Sequence, residues 1–192
     1  MKYLIVALIS YILGSLPAGY FIGKIVFKKD IRSMGSGNIG TTNAFRNFGK
    51  KAGLATFAFD FVKGVLACFI GNKILGENGM YVAMLFVVLG HMYSFLLNFK
   101  AGKGIATTFG ALVYIKPTFA LILFLLFLAV FLTSRIVSLS SISVSAIAIV
   151  ASLVKYRFTP FSLTLSAIAI LIIIKHKDNI RRLKNGEEKK MF

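Results

Sequence analysis

Apolar residues in this chain gather into runs instead of alternating with polar ones. The runs cover 3–27, 52–72, 80–98, 104–116, 118–133, 138–154 and 159–174, separated by short basic or Gly/Pro-marked connections. Most approach the ~20 residues a helix needs to cross a bilayer. The stretch 104–133 needs a decision. As one helix rising ~1.5 Å per residue it would measure about 45 Å, well beyond a ~30 Å hydrocarbon core, and Pro117 sits where a break is wanted. The pattern predicts an all-α integral membrane protein with seven transmembrane helices, forming a single membrane-embedded domain over 1–192.

Charge orients that prediction. Segment 24–51 holds seven Lys/Arg and the tail 175–192 holds seven more, which assigns both to the cytoplasmic side. Six spans between them keep them on one side, so the N-terminus is expected outside and the C-terminus inside. Lys100, Lys103 and Arg135 then fall inside, and Lys2, Lys73, Lys116, Lys155 and Arg157 outside. Lys63 lies within the second span, three residues after Asp60, a spacing that puts both on one helix face and lets them pair in lipid. Composition agrees, with 57% hydrophobic and 15% charged residues and a mean hydropathy of +0.82, unlike a soluble domain. The net charge of +17 therefore reads as topology and contact with anionic membrane lipid, with no nucleic acid partner. Cys68, the single cysteine, sits in an apolar run and offers no disulfide framework. The N-terminal stretch is too long for a signal-peptide core and lacks a cleavage pattern, so it is expected to stay as the first span.

The polar chemistry collects in the segments assigned to one face: GSGNIGTTNAFR at 35–46, GHMYSFLLNFKAGKGIATT at 90–108, SRIVSLSS at 134–141 and HKDNIRRLKNGEE at 176–188. Gly, Ser, Thr, Asn, Lys, Arg and His are the residues that hold phosphate through amides, hydroxyls and charge. GSGNIG fits G-x-G-x-x-G, but a dinucleotide fold needs a strand before it, and here a membrane helix precedes it. The underlying physics survives: close glycines let amides converge on an anion, often at a helix start, which Thr41 or Thr42 would cap. Ser36, Gly37, Asn38, Gly40, Thr41, Asn43 and Arg46 are the candidates in that strip.

In the second strip no Walker motif is met, yet Lys103 stands between Gly102 and Gly104 at an expected helix N-terminus, with Thr107 following, a second anion seat. His91 admits both a structural and a site role. In the tail, His176 and Asn179 share a helix face if the helix continues inward, close to Arg182 and Glu188. Ser140 and Ser141 complete the set. There is no nucleophile elbow, no catalytic cysteine and no carboxylate cluster, which argues against an acyl-enzyme and against a metal site.

Together the four strips resemble the bacterial membrane acyl-phosphate:glycerol-3-phosphate acyltransferase family, the PlsY type. The resemblance covers the whole length, through SGNIGTTNAFR, GH followed by FKAGKGIAT, SRIVSLSS and HKDNIRRLKNGEE, with DFVKG at 60–64 as a lesser echo. Tyr93 and Ser94 stand where the family often has Phe-Pro, which is expected to loosen the turn after His91, and Ala101 stands where glycine is usual. The resemblance implies acyl phosphate as donor, glycerol 3-phosphate as acceptor, no cofactor and no metal, in the bacterial cytoplasmic (inner) membrane. A monomer is expected.

An acyl phosphate carries its own leaving group, so placement and charge neutralisation suffice. Arg46, Lys103, His176 and Ser141 are the expected catalytic residues. Lys103 would help hold the donor, while the first strip, Ser141 and the tail would seat the acceptor, all in one pocket at the inner leaflet. The acceptor's proton goes to His176 or to a substrate phosphate, whose second pKa lies near about 6. The rival from another class is a transporter of phosphorylated metabolites, for which inverted repeats and midplane polar groups would be expected. GNIGTT and GKGIATT look alike, but their flanks do not match.

Overall fold

A computed structural model describes residues 1–191, and they are all-helical, as the run pattern predicts. The helices are α1 (Lys2–Ser15), α2 (Ala18–Ile25), α3 (Thr41–Phe48), α4 (Lys50–Met92), α5 (Ile105–Ile115), α6 (Pro117–Ser134), α7 (Val137–Tyr156), α8 (Pro160–Lys175) and α9 (Lys177–Lys184). Short 3-10 turns occupy Ile31–Ser33 and Phe95–Leu97. Among the described residues, four helical segments are long and apolar enough to cross a membrane, or five if the bent pair α8–α9 counts as one. Two compact units divide the chain, Met1–Ile115 and Lys116–Phe192.

In the first unit, the run expected at 3–27 is broken. Leu16 leaves α1 in an extended conformation and Pro17 precedes α2, because proline disfavours the helical region for the residue before it. The runs expected at 52–72 and 80–98 are joined in α4, but not as a straight rod. A 48-residue rod over Lys50–Leu97 would extend about 72 Å. Gly76, at φ 60° and ψ −143°, turns the chain instead. Gly71 and Gly79 then face each other so closely that a Cβ on either would collide with the other's carbonyl oxygen. Cys68 Sγ likewise lies 3.8 Å from the Met80 carbonyl. Residues this far apart along one helix cannot meet, so α4 is a hairpin with limbs of about 39 and 24 Å.

Small residues allow close helix approach here. Gly14 of α1 meets the Val87 backbone on the second limb, and Gly64 of the first limb meets the Thr107 carbonyl on α5. Only 11 residues long, α5 measures about 16 Å, and its end is fixed by Pro117 at the first position of α6.

In the second unit, Phe119, Tyr156 and Phe161 from α6, α7 and α8 form an edge-to-face cluster with centroids 5.1–6.2 Å apart. Ser138, Ser141, Ser145 and Ser152 line a buried face of α7; the first three have helical i, i+3, i+7 spacing.

Candidate functional site

The first strip is built around Asn43, which is buried at the start of α3. Its amide nitrogen donates to the carbonyls of Ile31 (3.2 Å), Met34 (3.0 Å) and Asn38 (2.8 Å), while its oxygen accepts from the Ser36 amide at 3.1 Å. Asn47 donates to that oxygen at 2.9 Å. Asn43, expected to touch ligand, thus has its amide engaged by the loop itself and acts as the loop's organiser. Neither Thr41 nor Thr42 caps α3. Gly40 occupies the cap position and has no side chain to offer. Gly37, at φ +71°, takes the left-handed conformation that favours glycine. Ser36 and Gly37 are exposed, Asn38, Gly40 and Thr41 half-buried, and Arg46 exposed in the last turn of α3. Asn38 Oδ1 is buried without a hydrogen-bond partner.

The second strip meets the first. Ile31, Ile39, Ala44 and Leu97 form one buried cluster, with Ala101 packed against it. The methyl group at 101 is therefore accommodated by apolar contact. Asn98 and Phe99 both adopt positive φ, at 51° and 60°, a strained turn that aims the chain into Lys100–Gly104. Gly104, at φ +87°, precedes α5, and its carbonyl accepts from Thr108 at 2.8 Å. Lys103 is half-buried two residues before that helix starts, as expected. Gly102 and Gly104 are buried, as is Thr107, whose hydroxyl has no hydrogen-bond partner.

The turn at Tyr93–Ser94, expected to be loose, has two side-chain ties to α1. Ser94 keeps φ −61°, the value a proline would impose. Its hydroxyl donates to the Ser15 carbonyl at 2.6 Å, and the Tyr11 hydroxyl donates to the Tyr93 carbonyl at 2.7 Å. Two hydroxyls pin the turn to α1.

In the second unit the helix does not run straight past His176. It bends there by 56°, with His176 ending α8 and preceding α9. Nδ1 of His176 lies 2.8 Å from the Ile172 carbonyl. A carbonyl only accepts, so Nδ1 carries the proton and Nε2 holds the lone pair of the neutral ring. Asn179 is buried on α9. Glu188, from the segment after α9, accepts from Ser138 (2.7 Å), Asn179 (2.6 Å) and Arg182 (2.6 Å). Burial pushes the Glu188 carboxyl up, but these hydrogen bonds and the Arg182 charge outweigh it and hold the group below the ordinary glutamate value. Met191 fastens the same segment by donating its amide to the Arg135 carbonyl at 2.8 Å. Ser140 and Ser141 are buried and donate to Ile136 and Val137 within α7.

Ser138 was not among the expected site residues, although it lies three residues before Ser141 on the same face. Among the described residues, no three His, Cys, Asp or Glu side chains group as a metal site would require.

Comparison with known proteins places these strips in context. The sequence profile of the glycerol-3-phosphate acyltransferase family matches residues 4–186. Glycerol-3-phosphate acyltransferases of Finegoldia magna and Carboxydothermus hydrogenoformans are 42% and 43% identical, over 100% and 98% of this chain and 98% and 96% of theirs. The crystal structure of PlsY, an integral membrane glycerol 3-phosphate acyltransferase, in its glycerol 3-phosphate form, is similar at a TM-score of 0.92. It shares 38% identity and covers 99% of this chain and 96% of that one. Its lysophosphatidic acid form is similar at 0.88 and 37% identity, over 99% and 95% of the two chains. The chain belongs to the glycerol-3-phosphate acyltransferase family.

Proposed function

We propose that this chain transfers a fatty acyl group from acyl phosphate to glycerol 3-phosphate, giving 1-acyl-glycerol 3-phosphate and inorganic phosphate. Acylation of glycerol 3-phosphate is the activity of its family. The supporting observation is the full-length likeness to PlsY structures whose glycerol 3-phosphate and lysophosphatidic acid forms are the acceptor and product of this reaction. The C1 hydroxyl attacks the acyl carbon, the bond from that carbon to the phosphate oxygen breaks, and phosphate leaves. No acyl-enzyme is required, since the donor is already activated. Arg46 and Lys103 offset the repulsion of two phosphates. Lys103, just before the N-terminus of α5, holds the donor. In the first unit Ser36, Asn38 and the start of α3 serve the acceptor; in the second, Ser141, Asn179 and Arg182 are the phosphate-binding candidates.

The hydroxyl proton passes to a substrate phosphate. The Ile172 contact favours a second reading, in which Nε2 of His176 takes it. A His176→Gln variant decides: turnover largely retained supports the phosphate, and total loss with intact acceptor binding supports the imidazole. Purified protein given palmitoyl phosphate and glycerol 3-phosphate should form lysophosphatidic acid in detergent, and palmitoyl-CoA should not replace the donor. Product from palmitoyl-CoA alone would overturn the donor assignment. Transfer without a sealed vesicle also excludes an obligatory transport role.

The reading extends to topology. Seven crossings, by α1–α2, the two limbs of α4, α5, α6, α7 and α8, put the N-terminus outside and the strips on the cytoplasmic side of a bacterial inner membrane, in a monomer. Shorter than the hydrocarbon core, α5 requires the bilayer to thin around it. The reversal at Gly76 and the break at Pro117 support that count. Labelling of single cysteines at positions 38 and 179 in oriented vesicles tests it, and labelling from opposite sides would end it.

A further inference from the structure

Three charged or titratable side chains lie deep in the first unit, outside the groups assigned to substrate. Asp60, Lys63 and His91 are 3%, 3% and 4% exposed. Lys63 Nζ lies 2.7 Å from Asp60 Oδ1 and donates to the Leu16 carbonyl at 2.9 Å. His91 Nδ1 lies 3.4 Å from the same Asp60 oxygen. A buried ion pair is weak evidence for stability, because apolar residues of similar volume often replace it at no cost. Its retention at this depth calls for a geometric role, and both ends of the cluster supply one.

At one end, Leu16 is the extended residue at which α1 stops and after which α2 departs. Gly19 on α2 lies so close to the Ile39 carbonyl that a Cβ there would collide with it. Lys63 therefore anchors the break from which the seat of the 36–43 loop is launched. At the other end, the Gly102 amide donates to the His91 carbonyl at 3.0 Å. A Cβ on Gly102 would fall on His91 Nε2 itself, so the imidazole packs flush beneath the backbone next to Lys103. Gly64, adjacent to Lys63, receives the Thr107 carbonyl of α5 in the same way.

We infer that Asp60, Lys63 and His91 are positioning residues that hold the two glycine loops, 36–43 and 99–104, in fixed relation through Leu16 on one side and Gly102 on the other. The inference rests on the acyltransferase reading of those loops. It concerns geometry and not contact with substrate.

The test uses the full-length purified protein in detergent. An Asp60→Leu/Lys63→Met double variant replaces the pair by apolar groups, so its melting temperature should stay close to wild type. Its kcat/KM for glycerol 3-phosphate should nevertheless fall at least about tenfold, chiefly through KM, as misplaced binding groups cause. Hydrogen exchange of 36–43 and 99–104 should quicken about tenfold, with the α4 limbs still protected. Wild-type kinetics and exchange in the folded double variant would overturn the inference.

Should that variant fail to fold, a double-mutant cycle answers the same question. Gly102→Ala alone should lower activity at least about tenfold, whereas in a His91→Ala background, where the methyl has room, it should cost less than about twofold. Additive losses would count against the triad. Absence of acyl transfer by the wild-type protein would instead overturn the acyltransferase reading, and loop exchange would still report on the triad.

Discussion

Segments 24–51 and 175–191 look interchangeable in sequence, each carrying seven Lys/Arg and few acids, yet they are organised by opposite means. In the first, a neutral amide gathers backbone: Asn43 holds three carbonyls and one amide of its own loop. In the second, a carboxylate gathers side chains: Glu188 takes Ser138 from α7 with Asn179 and Arg182 from α9. The difference follows from what must be fixed. On the function proposed above, a glycine loop that offers its amides to an anion has to keep its backbone in place without placing a negative charge beside the ligand. The tail presents side chains, which a carboxylate can orient while the surplus of Lys and Arg keeps the region cationic.

The comparison breaks most readily at Asn43. Asn43→Ala removes hydrogen bonds worth ~0.5–1.5 kcal/mol each and leaves loop groups unsatisfied, so kcat/KM should drop by about 100-fold or more. Asn43→Asp keeps the shape but turns an oxygen toward three carbonyls, and it should be no better than alanine. Near-wild-type activity of the Asp variant, assayed by lysophosphatidic acid formation, would show that the amide does not shape the loop.

Glu188→Ala should cost less, about 10- to 50-fold, since Asn179 and Arg182 remain on α9 but lose their common acceptor, a charge-assisted interaction of ~1.5–3 kcal/mol. Its pH dependence has a definite sign. The folded-state pKa is depressed, so this contribution to stability is complete above the unfolded value of about 4.3 and lost as pH falls through the folded one. Melting temperatures from pH 7 down to 3 should show a gap between wild type and Glu188→Gln that is constant above about pH 5 and closes below the ordinary glutamate range. Ser138→Ala removes one neutral donor from the same carboxylate and should lower activity only about threefold. A loss equal to that of Glu188→Ala would shift the organising role to the serine.

Much of this was legible in advance for physical reasons. Apolar runs report helices because the chain needs segments that satisfy their own backbone in lipid, and the breaks at Gly76 and Pro117 fall between expected runs. Lys103 does precede a helix, as its place in the glycine strip suggested. What a linear reading does not carry is who faces whom. Asn43 and Glu188 have the right chemistry for a ligand, and only the fold reveals that neighbours engage them. The helix cap passed to Gly40 because tertiary packing of Ile39 and Ala44 set where α3 begins. The acceptor of the Ser94 hydroxyl, the Ser15 carbonyl, comes from α1, 79 residues away in sequence.

The smallest expected effect lies at Asp30, the carboxylate of the first segment. It too pairs with an arginine, through Arg32 at 2.8 Å, and it also faces Lys24 at 3.5 Å. The Arg32 hydrogen bond, foremost, holds its carboxyl below the usual aspartate range despite the opposing effect of burial. The resemblance to Glu188 ends there. The Arg32 and Lys24 side chains are 41% and 45% exposed, the Arg32 contacts stay within one turn, and water and salt screen pairs of this kind to ~0.2–1 kcal/mol. Asp30→Asn should therefore change activity by less than about twofold, with the difference shrinking as ionic strength rises. A loss as large as that of Glu188→Ala would mean that a local ion pair, and not the amide of Asn43, sets the first loop, and the contrast between the two basic segments would collapse.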